Sequence, residues 1–110
     1  MEIAAEKLDW ATLVRISGDV DMSTSSRVRE ALLELTGEKR SPIVVDLEGV
    51  SYMDSSGIAT LVEGLQASME YGGTFRLAAL SPKVKLVFDL ARLRDVFEIF
   101  PDVAGAKEGI

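Results

Sequence analysis

The chain has 110 residues, 47% of them hydrophobic and 27% charged, with a net charge of −6 and neither cysteine nor histidine. Such a length suits a single domain over residues 1–110 with one core. Disulfides, thiolate nucleophiles, sulfur-held metals and a Ser-His-Asp triad are excluded, and the acidic balance disfavours direct nucleic-acid binding while favouring a partner with a basic surface.

The opening segment MEIAAEKLDW has no basic region followed by an apolar run, so no signal peptide is expected. The longest apolar stretches fall far short of a membrane span. The expected location is cytoplasmic, with no membrane insertion. Glu2 to Lys7 and Thr12 to Ile16 read as two strands joined by a turn near Leu8-Asp9-Trp10-Ala11, with Gly18 ending the second. Ser23 to Ser26 supply helix-capping residues. Behind them Val28, Ala31, Leu32 and Leu35 share one helical face, and Gly37 stops that helix.

Pro42 precedes Ile43-Val44-Val45-Asp46-Leu47, a β-branched run apolar on both faces, as in a central strand covered from both sides. Glu48 to Ser55 reads as a loop. A second helix follows, with Ile58, Leu61, Val62, Leu65 and Met69 on its apolar face and Gly72-Gly73 at its close. Thr74 to Leu80 reads as a strand. Ser81-Pro82 is a helix start, with proline at the first helical position, and Val84, Val87, Phe88 and Ala91 form the inner face. Val96 to Phe100 reads as a last short strand. In the tail, Asp102 to Ile110, Gly105 and Gly109 both oppose a helix.

The predicted order is β-β-α-β-α-β-α-β. This is an α/β fold with a mixed sheet of four to five strands, helices packed against it and a short C-terminal helix as the one optional element. The first two strands form an antiparallel hairpin, and the later strand-helix-strand units are parallel with right-handed crossovers.

The chemistry concentrates in Val45-Asp46-Leu47-Glu48-Gly49-Val50-Ser51-Tyr52-Met53-Asp54-Ser55-Ser56-Gly57-Ile58. A buried strand leads through a loop to a helix that opens on Asp-Ser-Ser-Gly. The first N–H groups of a helix lack internal partners and favour negative charge. A hydroxyl there can cap the helix or carry a phosphate whose oxygens accept those free N–H groups. Ser and Asp are also the preferred capping residues anywhere, so capping alone explains much of the motif. Gly57 is harder to explain by capping, because glycine costs about 1 kcal/mol within a helix. Its missing side chain would let another surface approach Ser56.

Val45-Asp46-Leu47 followed by Met53-Asp54-Ser55-Ser56-Gly57-Ile58 resembles the signature of the STAS family, which includes the anti-sigma factor antagonists. Gly18-Asp19-Val20-Asp21 resembles the family's turn before its first helix, and Gly72-Gly73 the glycines ending its second. Leu93 to Phe100 resembles its closing strand. The resemblance spans roughly Ile3 to Phe100. It implies phosphorylation of the serine just before the motif glycine, here Ser56, with Ser55 as the competing acceptor. It also implies an anti-sigma factor with serine kinase activity as partner, ATP as phosphoryl donor and a separate serine phosphatase. The unphosphorylated form would bind the anti-sigma factor and free sigma for RNA polymerase. Asp21, Met22, Ser23, Asp54, Ser55, Ser56, Gly57 and Ile58 would form the partner surface, with Met53 flanking it. The chain would then be a substrate and a ligand, not an enzyme, and would need no cofactor.

Other features weigh less. Asp19, Asp21, Ser23, Ser25 and Glu30 partly match a calcium-loop spacing, but Thr24 stands where that loop requires glycine, and no metal is expected. Lys83, Lys85, Arg92 and Arg94 read as a solvated basic face, and Trp10 as a packing residue. Three other roles stay open: a STAS subunit of a bacterial lipid-transport ABC system, a scaffold component of a stress-sensing assembly, and a hydrolase using Ser56. The transporter subunits typically replace the motif serine. The hydrolase would need Asp54, Asp21 or a lysine as base.

Overall fold

A computed structural model describes the chain from Met1 to Ile110. The hairpin forms as expected. Strands β1 (Glu2–Lys7) and β2 (Thr12–Val20) are antiparallel, from Glu2 opposite Ser17 to Lys7 opposite Thr12. The Leu8 N–H donates to the Ala11 carbonyl across the turn at 2.7 Å. Helix α1 (Ser25–Gly37), strand β3 (Ile43–Met53), helix α2 (Ser55–Met69), strand β4 (Phe75–Ala78), helix α3 (Pro82–Leu90) and strand β5 (Glu98–Phe100) follow. The sheet order is β1-β2-β3-β4-β5, antiparallel at the first pair and parallel at the other three. The tail carries one short 3₁₀ turn, Gly105–Lys107, in place of a helix.

Period-two alternation along the strands assigns the faces. Val14, Ile16, Ile43, Val45, Leu47, Phe75 and Leu77 join Val28 and Leu32 of α1, Leu61 of α2, and Val84 and Phe88 of α3 in the main core. Phe88 meets Phe97 edge-to-face at 5.6 Å, an arrangement worth about 1 kcal/mol beyond burial. The intervening residues Leu13, Val44 and Ala78 face the other way. The tail covers them there, with Ala106 buried in the same small cluster and Trp10 packed beside it. So β3 is covered from both sides, as its run of apolar residues implies.

The structure moves several boundaries. Gly18 does not end β2. It sits within the strand at φ +93°, beside register shifts against β3, and the strand continues to Val20. Nor are Glu48 to Met53 a loop. They prolong β3 beside β2, with Gly49 opposite Ser17 and Met53 opposite Val20, while Val50 and Met53 turn into the core. The small and acidic residues of this stretch mark a solvent-facing side, not a loss of pairing. A Cβ on Gly49 would lie 2.7 Å from the Ser17 Cβ, so the close approach of the strands demands glycine there.

Gly37 lies inside α1, and the helix stops where Lys39 turns left-handed at φ +56°. Met69 on α2 and Ala91 after α3 are exposed, so neither belongs to the inner face expected of it. Strand β4 is shorter than the predicted Thr74–Leu80, because Ala79 leaves the extended region at φ +61°. Likewise Val96 stays outside β5 and is half-exposed. Ser81 and Gly72 behave as expected: the Ser81 Oγ accepts the Val84 N–H at 3.3 Å, and Gly72 adopts φ +73°.

Candidate functional site

Strands β2 and β3 run parallel and end together. Val20 pairs with Met53, and the Asp54 N–H donates to the Val20 carbonyl at 3.2 Å. The next residue after each strand is an aspartate, so Asp21 and Asp54 stand side by side at the C-terminal ends of β2 and β3. Asp54 caps α2, whereas Asp21 organises the turn before α1, whose start carries no side-chain capping bond from Thr24, contrary to the capping expected of Ser23 to Ser26.

Asp21 Oδ1 accepts the Ser23 N–H at 2.9 Å and the Ser23 hydroxyl at 2.6 Å. Thr24 returns the support, its Oγ1 accepting the Asp21 N–H at 3.0 Å. The Ser23 hydroxyl is the largest of the influences that hold the Asp21 carboxyl below its ordinary value. Asp54 is in extended conformation, as a capping residue should be, and its Oδ1 accepts the Ser56 N–H at 2.9 Å and the Gly57 N–H at 3.3 Å. The same oxygen accepts the Ser56 hydroxyl at 2.5 Å. That hydroxyl is the largest cause of the lowered Asp54 pKa. Desolvation opposes it, the two backbone N–H groups reinforce it, and the neighbouring negative charge of Asp21 opposes it weakly.

The two serines differ. Ser55 is exposed, and its hydroxyl makes no hydrogen bond within the chain; Asp54, not Ser55, is the cap. Ser56 is half-buried and held to Asp54, yet still reaches the surface. The amides of Ser56 and Gly57 are already taken by Asp54. The expectation that a phosphate would find them free is therefore corrected.

Four further expectations change. Gly57 is buried, and a Cβ there would lie 2.7 Å from Met53 Cγ and 2.8 Å from Val20 Cγ1. Its missing side chain lets α2 seat on the ends of β2 and β3, and opens no door to a partner. Ile58 is 7% exposed and belongs to the core, so its side chain is not offered to solvent. Met53 also points inward, whereas Met22 is 84% exposed beside the solvent-facing Ser23. The surface edge thus consists of Asp21, Met22, Ser23, Asp54, Ser55 and Ser56. Sequence reasoning missed Tyr52, which is 51% exposed at the end of β3. Strict alternation from Val50 would have turned Tyr52 inward; the register shifts between β2 and β3 break that alternation, and the sequence alone did not show them.

The acidic residues of the calcium-like spacing do not converge. Asp19 accepts the Ser51 hydroxyl at 3.1 Å while Asp21 serves Ser23, and no group of three metal-ligating side chains is gathered anywhere. Lys83, Lys85, Arg92 and Arg94 are exposed, with Arg94 beside Asp89 at 3.6 Å. No helix is long and apolar enough to cross a membrane.

Residues 2–106 match the STAS domain. The chain belongs to the STAS domain family. It is 33% identical over 86 residues to the anti-sigma-B factor antagonist of Bacillus subtilis strain 168, an alignment covering 78% of each chain. An anti-sigma factor antagonist from Mycobacterium paratuberculosis superposes with a TM-score of 0.88 at 23% identity, over 96% of this chain and 89% of that one. The phosphorylated form of the Bacillus cell fate determinant SpoIIAA superposes at 0.74 with 20% identity, over 96% of both chains. At these identities the two structures establish the shared fold. For this STAS domain, the Asp54-Ser55-Ser56-Gly57 segment lies at an exposed strand-to-helix junction, with one of its serines tied to a carboxylate.

Proposed function

We propose that this STAS domain is an anti-sigma factor antagonist switched by phosphorylation of Ser56. Unphosphorylated, it binds an anti-sigma factor with serine kinase activity and thereby frees a sigma factor. Phosphate transferred from ATP to Ser56 ends that binding, and a serine phosphatase restores it. In this reading the chain works in the cytoplasm as one domain, as substrate and ligand and not as an enzyme.

The observation that carries the reading is Ser56, half-buried and not sealed in the core, at the paired ends of β2 and β3 with its hydroxyl on Asp54. The name of the Bacillus subtilis relative supports the pathway, and the phosphorylated SpoIIAA supports the modification. Charge supports the direction of the switch. A phosphoserine adds about −1.5 to −2 charges beside two carboxylates that already repel. A basic partner surface shaped for the unmodified edge would then face a bulky dianion. Because the amides of Ser56 and Gly57 are committed to Asp54, a phosphate on Ser56 would not find those two donors free.

The test is affinity for the cognate anti-sigma factor in the presence of ATP. Ser56→Ala is expected to bind constitutively, and Ser56→Asp to bind at least about tenfold more weakly, as charge mimicry at an interface costs roughly 1.4 kcal/mol or more. Equal affinity of the two variants would overturn the proposal.

A further inference from the structure

We propose that the outer face of α3 and the loop after it form a second docking surface, which takes an acidic amphipathic helix of another protein. The proposal goes beyond the Ser56 switch and does not depend on the state of that serine.

Helix α3 turns Val84 and Phe88 into the core, so its other side could be wholly polar. Instead Leu86 is 57% exposed and Leu90 76% exposed, four residues apart and therefore neighbours on one helical face. The loop after the helix adds the half-buried Leu93 and the 49% exposed Val96. Single exposed leucines are ordinary, whereas an apolar strip rimmed by charge marks an interaction surface.

The rim here is basic. Lys83, Lys85, Arg92 and Arg94 are all exposed, on a chain whose net charge is −6. Arg94 lies 3.6 Å from Asp89, and no ion pair engages Lys83, Lys85 or Arg92. Lys85 and Arg94 also share a groove of about 320 Å³ with Phe97, Ile99 and Phe100. Unpaired cations beside apolar surface, on a molecule otherwise acidic, select a partner that carries carboxylates and apolar side chains together.

Other occupants fit this face less well. A second copy apposed through the same face would set these cations against their own counterparts. An anionic bilayer would attract the cations and repel the acidic remainder of the chain. An extended peptide added to β5 would find a strand of three residues, followed by Pro101 with no N–H to offer. A helix satisfies its own backbone. It can lay one apolar stripe along Leu86 and Leu90, with its acidic flanks against the lysines and arginines.

The probe is a synthetic peptide of about 18 residues, long enough to form a helix, with leucines on one face and glutamates beside them. Titrated into the full-length isotope-labelled chain, it is expected to move the amide signals of Lys83 to Arg94 and of Ile99. Those of Asp54 to Gly57 should stay in place, and binding should weaken as salt rises. Leu86→Ser combined with Leu90→Ser changes exposed positions only and should lower affinity at least about tenfold. Lys85→Glu combined with Arg94→Glu should lose as much, and should gain a comparable factor for the same peptide built with lysines. A folding defect would not produce that reversal. Ser56→Asp should bind the peptide as wild type does. Equal binding of glutamate and lysine peptides, shifts centred elsewhere, or no shift at about millimolar peptide would overturn the proposal. So would self-association, or adsorption to phosphatidylglycerol vesicles, that depends on Leu86 and Leu90 and occurs in place of peptide binding; these would assign the face to a second copy or to a bilayer.

Discussion

Asp54 and Arg76 hold opposite parts of the molecule by the same means, a charged side chain bonded to backbone, and they differ in reach. Asp54 serves amides two and three residues along the chain, at an exposed edge. Arg76 spans the fold. From β4 its guanidinium donates to the carbonyls of Ala106, at 2.9 Å, and Glu108, 30 and 32 residues away. It also lies 3.3 Å from a Glu98 carboxylate oxygen and 5.0 Å from the Phe100 ring centre. The side chain is almost wholly buried, and its Nε has no partner. The first device shapes a surface that another molecule can meet. The second seals the tail over Leu13, Val44 and Ala78 and presents nothing outward.

The largest expected effect comes from breaking the seal. Arg76→Ala leaves the Ala106 and Glu108 carbonyls without their shared partner and is expected to cost about 2–4 kcal/mol, since each stranded buried group costs on the order of 1–3 kcal/mol, while the exposed Glu98 carboxylate adds little. Urea unfolding measures the loss, and limited proteolysis should show cleavage beyond Pro101 before the rest of the chain is cut. Arg76→Lys keeps the charge but not the fork and should recover less than half. Binding through the Ser56 edge should persist wherever the variant is folded, because the tail lies on the opposite face of the sheet. A tail as protease-resistant as wild type in Arg76→Ala would show that the small cluster around Ala106 holds it without the arginine.

The next effect breaks the other region. Gly57→Ala places a methyl group 2.7 Å from Met53 Cγ, 2.8 Å from Val20 Cγ1 and 3.2 Å from the Val20 carbonyl oxygen. Alanine is the better helix former, so propensity alone predicts stabilisation by about 1 kcal/mol. The backbone carbonyl cannot swing aside like a side-chain tip, and overpacking of this kind costs about 1–3 kcal/mol. The net sign is expected to be destabilising. α2 should also lift from the ends of β2 and β3, weakening partner binding in the same variant. A gain in thermal midpoint would mean that Met53 makes room, and that Gly57 serves the surface after all.

This contrast in reach also explains what the sequence alone could disclose. The STAS order of elements was legible because it rests on local periodicity and punctuation: Ser81-Pro82 at a helix start, Gly72 in the left-handed turn, Asp54-Ser55-Ser56-Gly57 at a helix mouth. The division of labour inside that mouth was not. Which of Asp54 and Ser55 caps, and whether Gly57 and Ile58 face in or out, depend on how α2 lands on Val20 and Met53, residues 33 apart in the chain but directly paired. Gly18 was misread because a glycine inside a bulged strand and one at its end look alike without the partner strand. Lys39 and Ala79 end their elements in left-handed conformations with no glycine to announce them. The Arg76 seal left no local trace, since its acceptors are backbone carbonyls of a glycine-containing tail.

Acid should separate the two regions by the smallest of these effects. The carboxyl groups of Asp21 and Asp54 are both held below the ordinary carboxylate value, chiefly by the hydroxyls of Ser23 and Ser56. A group whose folded pKa lies below its unfolded one contributes stability above the unfolded value and loses it as pH falls through the folded value. The edge should therefore loosen only below about pH 4. Arg76 holds the tail through the backbone carbonyls of Ala106 and Glu108, far along the chain from this edge. Amide hydrogen exchange followed down the pH scale should show Ser56 and Gly57 losing protection while Ala106, Lys107 and Glu108 retain theirs. Asp54→Asn preserves the cap without a titrating group and should hold Ser56 and Gly57 protected through the same window. If wild type and Asp54→Asn lost that protection together, the carboxylate would not be what organises the edge, and the hydrogen bond to Ser56 would be a consequence of the helix start and not its cause.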